Sequence, residues 1–253
     1  MRNIFRKVPN TLQQSILDAL LPPLCPAMGE TVGQAGTISA RAFAALQFID
    51  DPVCAACGAP FAYEVGEGAL CGACLADPPA FDRARAAVAY DDESHGLVVA
   101  FKHSDRTDLA PLFARWMARA GGSLISPQSL LAPVPLHWRR LFARRYNQAA
   151  TLAIEINRIA GGVAAPMLLE KKRPTPPQKA LSAEQRKRNV RGVFAVREGE
   201  RTRLRGAHVV LIDDVLTTGA TLSSAASTLR RAGAARVDAI VLARTGKSGA
   251  AIG

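Results

Sequence analysis

Apolar residues recur along this chain in two rhythms. Short unbroken runs at Ala86–Tyr90, at residues 130–136 and at Val209–Ile212 are too brief for helices and predict strands buried on both faces of a parallel sheet. Helical stripes follow: Leu97–Lys102, Leu109–Arg119, Ala149–Ile159 ending before Gly161-Gly162, and a stretch from Leu222 closed by Gly233. Strands alternating with helices predict an α/β fold with a central, mostly parallel sheet flanked by helices. A further stripe, Leu12, Ile16, Leu17 and Leu20, predicts a short packing helix over residues 10–21. Residues 171–191 break the pattern, with three prolines, eight basic side chains and one acid. Such a stretch does not fill a core, and reads as a mobile lid over a charged ligand, a nucleic-acid contact strip or disorder, with a short helix beginning near Leu181–Glu184.

The 253 residues leave room for one large domain or two smaller ones. No apolar run is long enough to cross a membrane. The segment TLQQSILDALLP does not read as a secretory signal, since two Gln and an Asp sit where an apolar stretch belongs. Together these point to the cytoplasm, where cysteines serve as metal ligands or thiols rather than disulfides. The net charge of +11 is uneven: residues 1–82 carry −4 and residues 83–253 carry +15. That excess suits polyanionic ligands such as pyrophosphate, nucleotides or nucleic acid.

Cys54-x-x-Cys57 and Cys71-x-x-Cys74 lie about a dozen residues apart, the spacing of a tetrahedral four-cysteine zinc ribbon. Four thiolates close the coordination sphere, so one structural Zn²⁺ is expected there, without a catalytic role. The preceding segment reads as a damaged copy. Cys25, Met28 and Gly29 overlay Cys54, Cys57 and Gly58, and Phe48-Ile49-Asp50 closes the unit as Ala80-Phe81-Asp82 closes the next. Counting back from the two closing Asp residues places Ser39 and Ala42 where the second unit has Cys71 and Cys74. One thiolate and a thioether do not hold a structural zinc, so this unit is expected to be metal-free, held by Phe43, Leu46 and Phe48.

The densest chemistry lies in VVLIDDVLTTGATL, residues 209–222. A buried strand leads to two adjacent carboxylates, Asp213 and Asp214, then to the small-residue loop Thr217, Thr218, Gly219, Ala220 and Thr221, then to a helix. In open α/β folds this junction lies at the carboxyl edge of the sheet, where ligands bind. Loop amides and a helix N-terminus make an anion site, and a glycine lets the backbone wrap a phosphate. Paired acids just ahead of such a loop suit a phosphorylated sugar, whose hydroxyls they accept. An apolar strand ending in two Asp also fits a Walker B strand, yet the chain has no GxxxxGK[ST] loop and no GxGxxG fingerprint. The stretch resembles the PRPP-binding motif of type I phosphoribosyltransferases.

A second sheet edge carries basic residues. After the strand closing at Pro133-Val134-Pro135 come Arg139, Arg140 and Arg145, whose guanidinium forks suit pyrophosphate oxygens. Lys102, at the end of an apolar helical face, reads as a snorkelling side chain more than a phosphate contact. His95 and His103 stand alone and suit solvated or locally bonded roles.

Taken in order, these pieces resemble the ComF (GntX-like) family, a zinc ribbon followed by a type I phosphoribosyltransferase domain. VPLHWRRLFARRYNQA and RPTPPQKALSAEQRKRNVRGVF carry the resemblance beside the acid–loop motif, the latter through Thr175, Gln178, Leu181, Arg186, Asn189, Val190, Gly192 and Phe194. It implies an N-terminal helix (1–24), a degenerate ribbon (25–50), a zinc ribbon (51–82) and a phosphoribosyltransferase domain (83–247) with a flexible basic loop at 171–191. It implies PRPP bound with Mg²⁺ and phosphoribosyl transfer from it. Asp213 and Asp214 face the ribose and Mg²⁺, residues 217–221 the 5′-phosphate, Arg139, Arg140 and Arg145 the pyrophosphate, and Thr175, Gln178, Arg186 and Asn189 form a lid. It further implies a role in natural competence, with single-stranded DNA and competence proteins as partners. The alternative is a non-catalytic module that binds single-stranded DNA and uses the PRPP site for regulation.

Overall fold

The computed structural model describes residues 22–103, 106–137, 146–174, 183–190 and 192–246. The helix expected over residues 10–21 therefore lies outside the described residues. So do Arg139, Arg140, Arg145, Thr175 and Gln178, and the side chain of Arg186.

Five strands form one sheet in the order β1 (Ala84–Ala89), β7 (Arg236–Arg244), β6 (His208–Leu216), β2 (Leu130–Pro133) and β3 (Val163–Ala164), every neighbouring pair parallel. Side chains alternate across it as strand geometry demands. On β6, Val210 and Ile212 face one layer of helices while Val209 and Leu211 face the other. The first layer holds α3 (Asp92–His103), α4 (Ala110–Gly121) and α5 (Gln148–Ala160), through Phe101, Phe113, Met117 and Ile156. The second holds α7 (Ala220–Arg231), through Leu222, Ala225 and Leu229. Burying both faces explains the unbroken apolar runs.

Local signals set the helix ends. Asn147 caps α5 by accepting from the Ala149 amide, and Gly161 closes it at φ +80°. Ahead of α3, Asp91 accepts from the Ser94 amide while Ser94 Oγ accepts from the Asp91 amide. Interior strand β7 is absent from the expected elements, although its VDAIVLA run is of the kind that predicts a buried strand. A separate antiparallel hairpin, β4 (Leu169–Lys171) with β5 (Phe194–Val196), brackets the basic segment. Within it α6 (Ala183–Val190) lies along α7, where Ser224 Oγ donates to the Val190 carbonyl.

Ahead of the sheet the backbone repeats itself. The Cys25 amide donates to Glu30 O at 2.7 Å and the Gly29 amide to Cys25 O at 2.8 Å; the Cys54 amide donates to Ala59 O and the Gly58 amide to Cys54 O at 2.8 and 2.9 Å. Gly29 and Gly58 both take a left-handed φ, +69° and +66°. Each turn leads to a short helix, α1 (Ala40–Ala45) capped by Ser39 and α2 (Gly72–Ala76) starting after Cys71. Ser39 and Ala42 thus stand where Cys71 and Cys74 stand in the second unit. A small apolar cluster of Cys25, Val32 and Ala42 fills the first unit, with Met28 packed against it. Phe48 does more than packing: residues 47–49 also hydrogen-bond to β1, through Ile49 N to Ala87 O and Ala89 N to Gln47 O.

Candidate functional site

Strand β6 runs four residues past Ile212, so Asp213 and Asp214 lie within the strand rather than beyond its end. The reason is its neighbour β7, which pairs Asp213 with Val241, Val215 with Ala243 and Leu216 with Arg244. On the other side, β2 pairs only as far as Pro133 with Ile212, with one more bond from the Val134 amide to Ile212 O. Pro135 has no amide hydrogen to continue that ladder. From Asp213 onward β6 is laddered on one side, and the acid pair occupies that carboxyl edge.

The two carboxylates differ. Asp214 Oδ2 lies 3.1 Å from Lys102 Nζ, both about one-fifth exposed. Lys102 is therefore a counter-ion of the acid pair, not a snorkelling side chain. The placement follows from α3, which ends beside β6. Asp213 Oδ1 accepts from the Asp214 amide at 2.9 Å. Burial first, and the adjacent Asp214 charge second, push Asp213 from its ordinary 3.8 up to about 7, against the pull of that amide and of Lys102 and Lys171.

Immediately beyond, Thr217 and Thr218 are exposed and Gly219 takes φ +77°. No side chain caps α7 and its first turn holds no acid, so its amides and dipole face an incoming anion. A Cβ at Gly219 would meet Leu216 and Phe81 only at ordinary contact distance, 3.6 Å, so the glycine is required by its φ and not by crowding. Gly219→Ala is expected to cost about 1–2 kcal/mol of stability from that strain, readable in denaturant unfolding. An unchanged midpoint would mean the loop relaxes to another conformation.

This loop forms one wall of a cavity of about 820 Å³. Ser223, Ser227 and Arg231 of α7, Arg188 of α6, Cys57, Cys74, Pro78 and Pro79 of the ribbon, and Arg244 of β7 also line it. Asp213 and Asp214 are not among its lining residues. Of the residues expected for the lid, Asn189 lies half-buried on α6, and α6 reaches the cavity through Arg188 and Val190.

In the ribbon, the sulfurs of Cys54, Cys57, Cys71 and Cys74 all lie within 4.8 Å of one another. Cys57 Sγ and Cys71 Sγ are 3.6 Å apart, and the Cys71 amide donates to Cys54 Sγ at 3.3 Å. Tetrahedral Zn–S bonds of about 2.3 Å place sulfurs about 3.8 Å apart, so the four cysteines are positioned for a zinc ion. Burial opposes ionisation, yet amides from Cys57, Cys71 and Ala56 bring Cys54 down to about 7, while burial and the neighbouring thiols push Cys74 well up. Four thiolates this close need a cation between them.

At the opposite end of the sheet, Ser129 Oγ, His208 Nδ1, His208 Nε2 and Asp238 Oδ2 form a line with two 2.9 Å contacts. Ser129 is fully buried, and Asp238 also holds the Arg83 amide and Arg236 Nε. The line ties strand beginnings together. Among the described residues no helix is long and apolar enough to cross a membrane.

Comparison with known proteins matches a double zinc ribbon domain to residues 16–75 and a phosphoribosyl transferase domain to residues 164–252. The DNA utilization protein YhgH of Salmonella typhimurium is 33% identical over 199 residues, covering 76% of this chain and 84% of that one. YhgH of Escherichia coli K12 is 32% identical over 202 residues, covering 78% and 86%. Competence protein F of Haemophilus influenzae is 30% identical over 201 residues, covering 76% and 85%.

Proposed function

Since this chain belongs to the family of DNA utilization protein YhgH and competence protein F, with a zinc ribbon and a phosphoribosyltransferase-type domain, we propose that it binds PRPP with Mg²⁺ and serves DNA utilization in competence. One observation carries this reading: the half-buried acid pair at the edge of β6 runs through Leu216 into an uncapped helix N-terminus. Acceptors for hydroxyls and donors for a phosphate thus follow each other along the chain, as a ribose 5-phosphate requires. Asp213 and Asp214 accept from the ribose hydroxyls, and residues 217–221 hold the 5′-phosphate. Arg139, Arg140 and Arg145 take the pyrophosphate, and the segment bearing Thr175, Gln178, Arg186 and Asn189 closes over it. Asp213 and Asp214 would also hold the Mg²⁺ that accompanies PRPP, which would supply positive charge against the leaving group.

In the catalytic form of this reading, a nitrogen nucleophile forms the bond to C1 as the C1–oxygen bond to pyrophosphate breaks, and the proton on nitrogen leaves to solvent. Positioning and electrostatics supply the rate, with no covalent bond to the protein. Calorimetric titration of PRPP and Mg²⁺ tests the binding. Asp214→Asn is expected to weaken it by about 1.5–3 kcal/mol, the loss of one charge-assisted hydrogen bond. Identical titrations for variant and wild type would remove the acid pair from the site. Pyrophosphate release with a panel of bases and amines then separates enzyme from binding module.

The excess of basic residues after position 82 favours a second reading, a single-stranded DNA surface whose PRPP site regulates it. Affinity for an oligonucleotide that falls steeply with salt and ignores sequence supports it. We place the chain in the cytoplasm, where a tetrathiolate stays reduced.

A further inference from the structure

Arg244 is the last residue of β7 and is only 7% exposed. Its side chain leaves the sheet and enters the ribbon. One terminal nitrogen donates to the Cys57 carbonyl at 2.6 Å and the other to Cys57 Sγ at 3.4 Å. Its Nε is buried without a partner, and among the described residues no carboxylate pairs with it. A buried guanidinium so placed has the cysteine cluster as its counter-ion.

The charges match. Four thiolates around Zn²⁺ leave a net charge of about −2 in a site where Cys54, Cys57 and Cys74 are all buried. Burying such a charge is unfavourable unless a cation stands beside it. The ribbon offers none of its own at this point. Its knuckle instead presses on the sheet: the Ala84 amide donates to Ala56 O at 2.7 Å. A Cβ on Gly58 would stand 2.5 Å from Ala84 O, so the knuckle cannot back away from, or turn on, the β1 edge without losing this fit. That contact brings Cys57 over the end of β7.

We propose that Arg244 is the outer-shell cation of the ribbon's metal site. It donates to the Cys57 thiolate, holds that ligand's orientation and offsets the negative charge of the tetrathiolate, although it belongs to the sheet of the other domain. Partners of this kind, one bond removed from the metal, commonly change metal affinity 10–100-fold.

The test uses the full-length, zinc-loaded chain with an excess of chromogenic chelator. Arg244→Gln is expected to release zinc at least about tenfold faster than wild type. Arg244→Lys, which keeps the charge and loses the fork, falls between them. Arg231→Gln, in the same cavity wall but touching no cysteine, matches wild type. Far-UV circular dichroism confirms folding. Because Arg244 ends a strand of the sheet, Co²⁺-loaded Arg244→Lys gives a second readout that keeps the buried charge, a shifted thiolate-to-metal charge-transfer band. Equal release rates for wild type, Arg244→Gln and Arg244→Lys, with an unmoved Co²⁺ band, would overturn the proposal.

Discussion

Asp213→Asn should make the protein more stable above pH 7 while making it a poorer host for a ribose phosphate. The sign follows from linkage. An ordinary Asp titrates near 3.8, whereas Asp213 in the folded chain titrates near 7. Below about pH 4 both folded and unfolded chains hold this proton, and the group contributes nothing. Between pH 4 and 7 the folded chain keeps a proton that the unfolded chain has lost, so stability falls as pH rises. Above 7 the folded chain carries a half-buried charge beside Asp214, and the full penalty is present. Asparagine is close to the protonated aspartate in shape and never ionises. The variant is therefore expected to match wild type at pH 4 and exceed it at pH 8 by on the order of 2–4 kcal/mol. Urea unfolding at both pH values reads the difference directly. A gain of equal size at pH 4 and pH 8 would mean that packing, not ionisation, separates the two proteins. The same substitution removes one acceptor from the proposed ribose site, so stability and binding should move in opposite directions, as groups held for function commonly do.

Loss of the ribbon's zinc is the second large effect, and it should be global. Cys54, Cys57 and Cys74 belong to the same core cluster as Phe81, Ala84, Val209 and Val241. The metal site is thus part of the main core and not an appendage on a linker. Chelation at pH 7 is expected to lower the thermal midpoint by at least about 6 °C, corresponding to roughly 2–3 kcal/mol for a chain of this size. Cys54→Ser should reproduce most of that fall, and chelator should then add little. Metal analysis of the untreated protein is expected to give one zinc per chain, because the first unit offers Cys25 with Met28, Ser39 and Ala42 in the ligand places. Two zincs per chain would overturn the assignment of a metal-free first unit. A small local change, with the sheet melting where it did before, would show that the ribbon and sheet unfold independently.

Much of the architecture was legible along the chain. The run at 209–212 and the stripes after Leu97, Leu109, Ala149 and Leu222 became β6, α3, α4, α5 and α7, with ends shifted by a few residues. The expected parallel α/β sheet behind a cysteine ribbon is the fold observed. Periodicity reports burial, and a strand covered on both faces leaves a strong mark. The end of β6 was placed early for a related reason. Two aspartates look like the end of a buried run, but a strand continues wherever its neighbour keeps supplying hydrogen bonds, and β7 does so as far as Leu216. Arg244 and Lys102 left little signal, since each looks like an ordinary basic residue at the end of an apolar element.

By itself, then, the sequence determined which segments are buried, that four cysteines stand at ligand spacing, and that acids, threonines and a glycine follow one strand. These are properties of residues close together in the chain, where local geometry dictates the outcome. Only the tertiary structure decided which charges meet. Lys102 reaches Asp214 across 112 positions and Arg244 reaches Cys57 across 187, and such pairings depend on which strands lie side by side. Electrostatics acts through distance in space and through the burial that strengthens it, and both come into being only when the sheet has closed over its core.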